Sequence, residues 1–477
     1  MSETKTEGQL LAEKLFFAIK NCWEQTNEEE LFWMEEFADE YKLFLDKGKT
    51  ERECVAQCEE RLKDAGFIDL DEALRWDGAL LPGSRVYQKI RGKSLLCAVI
   101  GEAPVRQGVN IIGAHLDAPR IDLKTNPVYE DGGFALFDTH YYGGIKFYQW
   151  TTIPLAMHGV IGGQRICIGE EADDPVFTIT DLLPHLAREQ MDKAAREFIG
   201  GEGLDILAGS QPYNDAKAEH KVKLKLLELL HDKYGVIEED FASAEIEFVP
   251  AHKARDIGLD RSMIGAYGHD DRSCAYPAFA ALMDIANKET PARTAVCYLS
   301  DKEEVGSMGN TGAQSRVFEN FIAYLCAKTM TGYTEMDLRH ALSKSAMLSA
   351  DVNAAFDPNF ADVYDKKTAS WFGKGIALSK FTGRGGKAGG SEANAEFCRK
   401  VQTLFNNHNV RWQYGELGKV DKGGGGTIAL HAANLGIEVL DCGIPVLSMH
   451  SPFEVISKID LYTTKKAYIT FFRDLIV

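Results

Sequence analysis

Apolar residues recur at helical spacing at both ends of the chain, and gather into short continuous runs between them. Leu10, Leu11, Leu15 and Ile19 predict an amphipathic helix over 8–22. Leu31, Met34, Phe37, Tyr41 and Phe44 predict another over 28–46. Both stripes read as core-facing. A third helix is expected over 51–65, stopped at Gly66. The runs at 86–90, 95–100 and 109–112 are strand-like, and the last leads into Gly113-Ala-His115-Leu-Asp117. Such uninterrupted apolar runs suit strands covered on both faces.

The texture changes after residue 120. Residues 121–180 are rich in Gly, Tyr, Phe and Thr, with turns at Asp131-Gly-Gly133, Tyr142-Gly-Gly144 and Ile161-Gly-Gly163. Residues 182–235 are more polar and partly helical, and 244–250 alternate like a strand. After Gly268 the helix–strand rhythm returns. Helices are expected over 273–287, 314–328, 391–407 and 461–475, with strands at 294–299, 346–350, 437–440 and 445–449. The pattern predicts one α/β domain, residues 1–120 and 256–477, interrupted by a strand-richer insertion at 121–255.

Composition narrows the class. At 477 residues, with 45% hydrophobic and 26% charged positions, the chain is globular and large enough for more than one core. Its formal charge of −18 argues against a nucleic-acid surface. No apolar run approaches the roughly 18–20 residues of a membrane span. The ten cysteines form no CxxC pair and suggest no disulfide framework. The N-terminus lacks a signal-peptide pattern, so a cytoplasmic location is expected.

The candidate chemistry sits where predicted strands end. His115 and Asp117 follow the third run. His269-Asp270-Asp271 precedes a helix. Glu303 and Glu304 follow the strand at 294–299. Asp351 follows 346–350, and His450 follows 445–449. Ligand sites of open α/β sheets form at such strand ends. Two His and three carboxylates suit a pair of divalent cations, Zn²⁺ first, with Co²⁺ or Mn²⁺ as alternatives. Of two adjacent glutamates, one can be neutralised by a cation while the other moves a proton.

The order His-x-Asp, Asp-Asp, Glu-Glu, Asp, His resembles that of the co-catalytic zinc exopeptidases. The strings Gly113-Ala-His-Leu-Asp-Ala-Pro-Arg120, Asp301-Lys-Glu-Glu-Val-Gly-Ser307, Gly312-Ala-Gln-Ser315, Ser349-Ala-Asp351 and Ser448-Met-His-Ser451 resemble the M18 metallo-aminopeptidases, of aspartyl aminopeptidase or aminopeptidase I type. The resemblance implies a mixed-sheet catalytic domain with an inserted dimerisation domain. It implies dimers assembled into a dodecamer, two metal ions per chain, and release of single N-terminal residues from peptides. Asp270 would bridge the two metals, with His115 and Asp351 completing one site and Glu304 and His450 the other. Glu303 would be the general base, and Asp117 would orient His115.

Two weaker assignments come from the same resemblance. Lys387, in a glycine-rich loop, would meet an acidic substrate side chain; Lys380 and Arg384 lie nearby. The loop departs from the family pattern, which carries an aromatic residue here, so acidic specificity and a broader preference both stay open. His158 would reach from the insertion into a dimer partner's pocket. Two rivals remain: a carboxypeptidase or deacylase using the same metal pair, and a non-catalytic metal-bound scaffold on the same fold.

Overall fold

Alternation within single strands explains how the central sheet is covered. In Ser94–Val99, Leu95, Cys97 and Val99 face one apolar layer, while Leu96 and Ala98 face another. The same parity holds in Ala295–Ser300, where Cys297 and Leu299 oppose Val296 and Tyr298, and in Asn110–His115, where Ile112 opposes Ile111. A period-2 chain with both faces apolar must be sandwiched between helices.

The computed structural model describes residues 5–476. Its largest sheet has nine strands. Asn110–His115 lies between Ala295–Ser300 and Ala346–Ala350, parallel to both, and Glu438–Gly443 extends the parallel set. Ser94–Val99 joins antiparallel, so the sheet is mixed. One face is covered by Glu28–Lys47, Glu51–Asp64, His269–Lys288, Ala395–Asn407 and Lys458–Asp474, through residues such as Phe44, Phe279, Phe405 and Phe471. Val317–Thr329 and Glu335–Ser343 cover the other, through Phe321, Leu325 and Leu338. Each such buried Leu or Phe contributes on the order of 1.5–3 kcal/mol.

A second, seven-stranded sheet is antiparallel throughout and built from strands between Arg120–Asp131 and Glu245–Pro250. It has its own core, with Phe137, Trp150 and Phe248 fully buried, and is packed by the helix Lys221–Tyr234. A third, five-stranded sheet includes Met263–Ala266, Pro445–Leu447 and Glu454–Ser457.

The N-terminal helix departs from expectation. It spans only Glu7–Leu15, and none of its residues is buried. Leu10, Leu11 and Leu15 are more than half exposed, so the stripe read as core-facing adds no buried residue to the core of the described chain. Beyond the helix, Phe17 stacks on Trp412. The helix Glu335–Ser343 was not anticipated; its short stripe of Leu338, Ala341 and Leu342 is diluted by charged neighbours.

Candidate metal centre

Parallel register brings the predicted residues to one sheet edge. His115 ends its strand, and its partner in register is Ser300. The chain then turns through Lys302, in the left-handed region at φ 67°, into a short 3-10 turn at Glu303–Val305. Both glutamates therefore arise beside His115. Asp351 directly follows the parallel strand Ala346–Ala350. Asp270 is the second residue of His269–Lys288, at a point where the backbone departs from helical geometry. His450 occupies the turn between Pro445–Leu447 and Glu454–Ser457.

Asp270 stands at the centre. Its Oδ1 is 3.3 Å from His115 Nε2, and its Oδ2 is 3.2 Å from His450 Nε2. His115 Nε2 also lies 4.0 Å from Asp351 Oδ1 and 4.0 Å from Glu303 Oε2. His450 Nε2 lies 3.3 Å from Glu304 Oε2. Two donor sets result, His115–Asp270–Asp351 and Asp270–Glu304–His450, each with ligand atoms within 4.8 Å of one another.

Both imidazoles are oriented through Nδ1. His115 Nδ1 is 2.9 Å from the Asp117 carbonyl oxygen and 3.3 Å from Asp117 Oδ1. His450 Nδ1 is 2.8 Å from the Gly144 carbonyl oxygen. A carbonyl can only accept, so each Nδ1 donates and each Nε2 is the nitrogen turned toward the carboxylates, a donor to them when the ring is protonated and a free lone pair when it is not. Asp117 does more than orient His115. Its carboxylate accepts the backbone N–H groups of Glu303 at 3.1 Å and Glu304 at 3.2 Å, which fixes the turn carrying both glutamates.

The electrostatics follow from crowding. Asp117, Asp270, Glu303, Glu304 and Asp351 face two imidazoles, and among the described residues no Lys or Arg lies within 4.0 Å of these acids. Burial raises Glu304 and Asp351 well above the usual carboxylate range, with neighbouring acids adding to it. Burial likewise pushes Glu303 up to about 7, opposed by His115 and reinforced by Asp270 and Asp117. Asp270 is held below its ordinary value: burial opposes this, but bonds to both imidazoles prevail. Glu304 Oε1 and Asp271 Oδ1 are buried without a hydrogen-bond partner. Unpaired buried acceptors beside two inward-facing Nε2 atoms fit a site built for cations, and mixed imidazole and carboxylate ligation fits zinc.

The site opens on a cavity of about 690 Å³, lined by Asp270, Glu303, Glu304, Asp351 and His450 at its base. Lys387 lines the same cavity. Its Nζ lies 3.2 Å from Glu392 and 3.9 Å from the centre of the Phe381 ring, and Lys380 shares the same Glu392 oxygen at 2.8 Å.

His158 is not brought to this cavity. It is 2% exposed, with Nδ1 2.8 Å from Glu53 and Nε2 3.2 Å from Glu170. Both ring nitrogens are bonded within its own chain, away from the Asp270 cavity. Burial disfavours its charged form, but Cys167, Glu170 and Glu53 outweigh this and push it up to about 11.

Three contributors were missed from the sequence. Glu454 accepts the backbone N–H groups of Asp270 at 3.0 Å and His450 at 2.7 Å, tying two candidate ligands together. Its signal was an acid four residues after His450, in a strand otherwise apolar. Tyr142 and Gly144 were read only as a turn; their contacts with Asp117 and His450 cross from one sheet to another.

The comparisons with known proteins agree with this geometry. A family model described as the aminopeptidase I zinc metalloprotease family, M18, matches residues 44–472. A probable M18 family aminopeptidase 1 of Clostridium acetobutylicum is 46% identical over 460 residues, covering 95% of this chain and 98% of the relative. The crystal structure of an M18 aminopeptidase from Thermotoga maritima superposes with a TM-score of 0.91 at 42% identity, covering 96% of this chain and 100% of that one. A yeast mApe1 dodecamer structure, 23% identical with a TM-score of 0.71 over 91% of this chain and 96% of that one, shares the fold. The chain belongs to the M18 peptidases, the aminopeptidase I zinc metalloproteases, and is a metallo-aminopeptidase of that family.

Proposed function

We propose that this aminopeptidase removes single N-terminal residues from peptides with two zinc ions per chain. His115 and Asp351 would hold one, Glu304 and His450 the other, and Asp270 would be shared. The observation that carries this reading is Asp270, whose two oxygens each face a different imidazole Nε2, at 3.3 and 3.2 Å. Two divalent cations would offset most of the charge of the clustered acids. Bound zinc supplies Lewis acidity, polarising water and the scissile carbonyl.

The chain's own residues supply the rest. Asp117 and Gly144 hold the imidazoles with Nε2 turned inward. Glu303 is the general base. Its carboxylate takes a proton from the attacking water and returns it to the nitrogen of the leaving amine. Glu303 lines the cavity yet belongs to neither donor set, which leaves its carboxylate free for that exchange. Glu304, more deeply enclosed, is left to ligation.

Acidic N-terminal residues are the proposed preference. Lys387 lines the cavity and shares one oxygen of Glu392 with Lys380, so its ammonium is only partly matched. The seven-stranded unit is the proposed dimerisation domain. Its surface carries exposed Val176, Leu182, Leu183, Leu186 and Met191 close together in sequence. Assembly of such dimers into a dodecamer, as in the yeast relative's structure, is proposed with it. Ten free cysteines suit a reducing, cytoplasmic setting. Among the described residues no helix is long and apolar enough to cross a membrane.

A panel of aminoacyl chromogenic substrates, with and without added Zn²⁺, Co²⁺ and Mn²⁺, tests the reading. Cleavage of free-amine substrates that stops on chelation and returns with metal is expected. Equal cleavage of N-blocked substrates would favour a deacylase, and no cleavage of any substrate a scaffold.

A further inference from the structure

The seven-stranded unit contributes more than surface, because one of its corners touches both halves of the candidate metal centre. Tyr142 ends the strand Phe134–Tyr142, and Gly143 and Gly144 follow it. The Tyr142 hydroxyl donates to Asp117 Oδ2 at 2.8 Å. That carboxylate fixes the Glu303–Glu304 turn and lies 3.3 Å from His115 Nδ1, which the Asp117 carbonyl also takes at 2.9 Å. Two residues later, the Gly144 carbonyl takes His450 Nδ1 at 2.8 Å. One short segment therefore supports a His of each half-site.

The segment is held from behind. Arg120, the register partner of Tyr142, lays its guanidinium 3.9 Å from the centre of the Tyr142 ring. Arg120 is itself buried and paired with Glu51 at 3.4 Å, Asp122 at 2.8 Å and Glu247 at 3.2 Å. The ring has little freedom to swing away from Asp117. The two glycines allow the close approach. Gly143 lies in the left-handed region at φ 75°, and a Cβ there would meet Glu304 Cβ and Oε2 at 3.4 Å. A Cβ on Gly144 would stand 3.4 Å from His450 Nδ1.

We propose that Tyr142-Gly143-Gly144 is a positioning element for both metal sites, through which the inserted unit sets the direction of the His115 and His450 lone pairs. The proposal rests on the ligand assignment given above. Groups that hold the non-ligating nitrogen of a metal-binding His are worth about 10- to 100-fold in metal affinity. Tyr142→Phe removes one hydroxyl and keeps the ring under Arg120. Gly144→Val keeps the carbonyl but fills the space beside the His450 ring; Gly144 lies outside the left-handed region, so its backbone accepts the change.

The test is zinc titration of the full-length apo-protein against a competing chelator, with the thermal midpoint of each apo-protein and the visible spectrum of each Co²⁺-loaded protein. Tyr142→Phe, acting one contact further out through Asp117, is expected to weaken zinc binding by up to about 10-fold, with an unchanged apo midpoint and an altered Co²⁺ spectrum. Gly144→Val is expected to weaken one of two ions, and it carries the test alone if Tyr142→Phe fails to fold. His450→Ala is the reference and should lose one ion. If it does, while the other two variants bind both ions with wild-type affinity and spectrum, the positioning role is overturned and the ligand assignment survives. If His450→Ala still binds two ions, the ligand assignment is wrong and the proposal falls with it.

Discussion

Two buried His clusters in this chain look alike by distance and differ in what surrounds them. Glu53, His158 and Cys167 bring three donor atoms within 4.8 Å, as do the two sets around Asp270. At His158 both ring nitrogens face carboxylates, and those acids meet cations: Glu170 also takes Lys253 at 2.7 Å and Lys49 at 3.9 Å. That cluster is a satisfied ion-pair network tying the helix Glu51–Asp64 to the seven-stranded unit. Around Asp270, by contrast, each Nδ1 is anchored on a backbone carbonyl, each Nε2 faces acids, and Glu304 and Asp271 keep unpartnered oxygens. Proximity of donors does not identify a metal centre. Unbalanced charge and anchored imidazoles do.

The sharpest way to separate the clusters is to disable each in turn. Glu303→Gln should lower kcat by about 10²- to 10⁴-fold while zinc content stays at the wild-type level. Comparable turnover in that variant would remove Glu303 from the base role. His158→Gln should do the reverse. It leaves Glu53 and Glu170 short of a buried partner, and the stability loss in denaturant should be roughly 3–5 kcal/mol, with zinc per chain unchanged. Loss of zinc there would erase the distinction.

The pH dependence of stability sharpens the same contrast. His158 is pushed up to about 11, above its ordinary 6.5. Its protonated form is therefore favoured by folding. That stabilisation is complete below about pH 6.5, shrinks as pH rises and is gone above about pH 11. The melting temperature of wild type should fall more steeply between pH 7 and 10 than that of His158→Gln, read at equal ionic strength. Parallel curves would show that His158 carries no proton-linked stability. The smallest effect belongs to the lip of the cavity. Lys387 is exposed and shares Glu392, so Lys387→Ala should reduce kcat/KM for Asp and Glu substrates only about five-fold. An equal fall for neutral substrates would show that it is no specificity residue.

How far the sequence revealed this centre depended on the kind of contact. His115, Glu303, Glu304 and Asp351 were legible because each follows an apolar run, and parallel strands deliver their ends to one edge. The uninterrupted apolar runs also suited a sheet covered on both sides. The His158 contacts were not legible because a His inside a strand looks the same whether it faces a cavity or a carboxylate 105 positions away, as Glu53 is. Tyr142 and Gly144 went unseen because their contacts reach Asp117, 25 positions back, and His450, 306 positions on. The N-terminal stripe Leu10, Leu11 and Leu15 showed that an apolar face requires a partner but not which one. Local pattern reports what a segment buries and leaves open where its partner lies.

The most direct measurement is zinc bound per chain, by elemental analysis of the purified protein after exhaustive dialysis, for wild type, His115→Ala, His450→Ala and His158→Gln. The account predicts about two ions in wild type and in His158→Gln, and a loss of about one ion in each of the other two. A fully active wild-type protein without zinc or another divalent metal, or one whose zinc depends on His158 and not on His115 or His450, would contradict it.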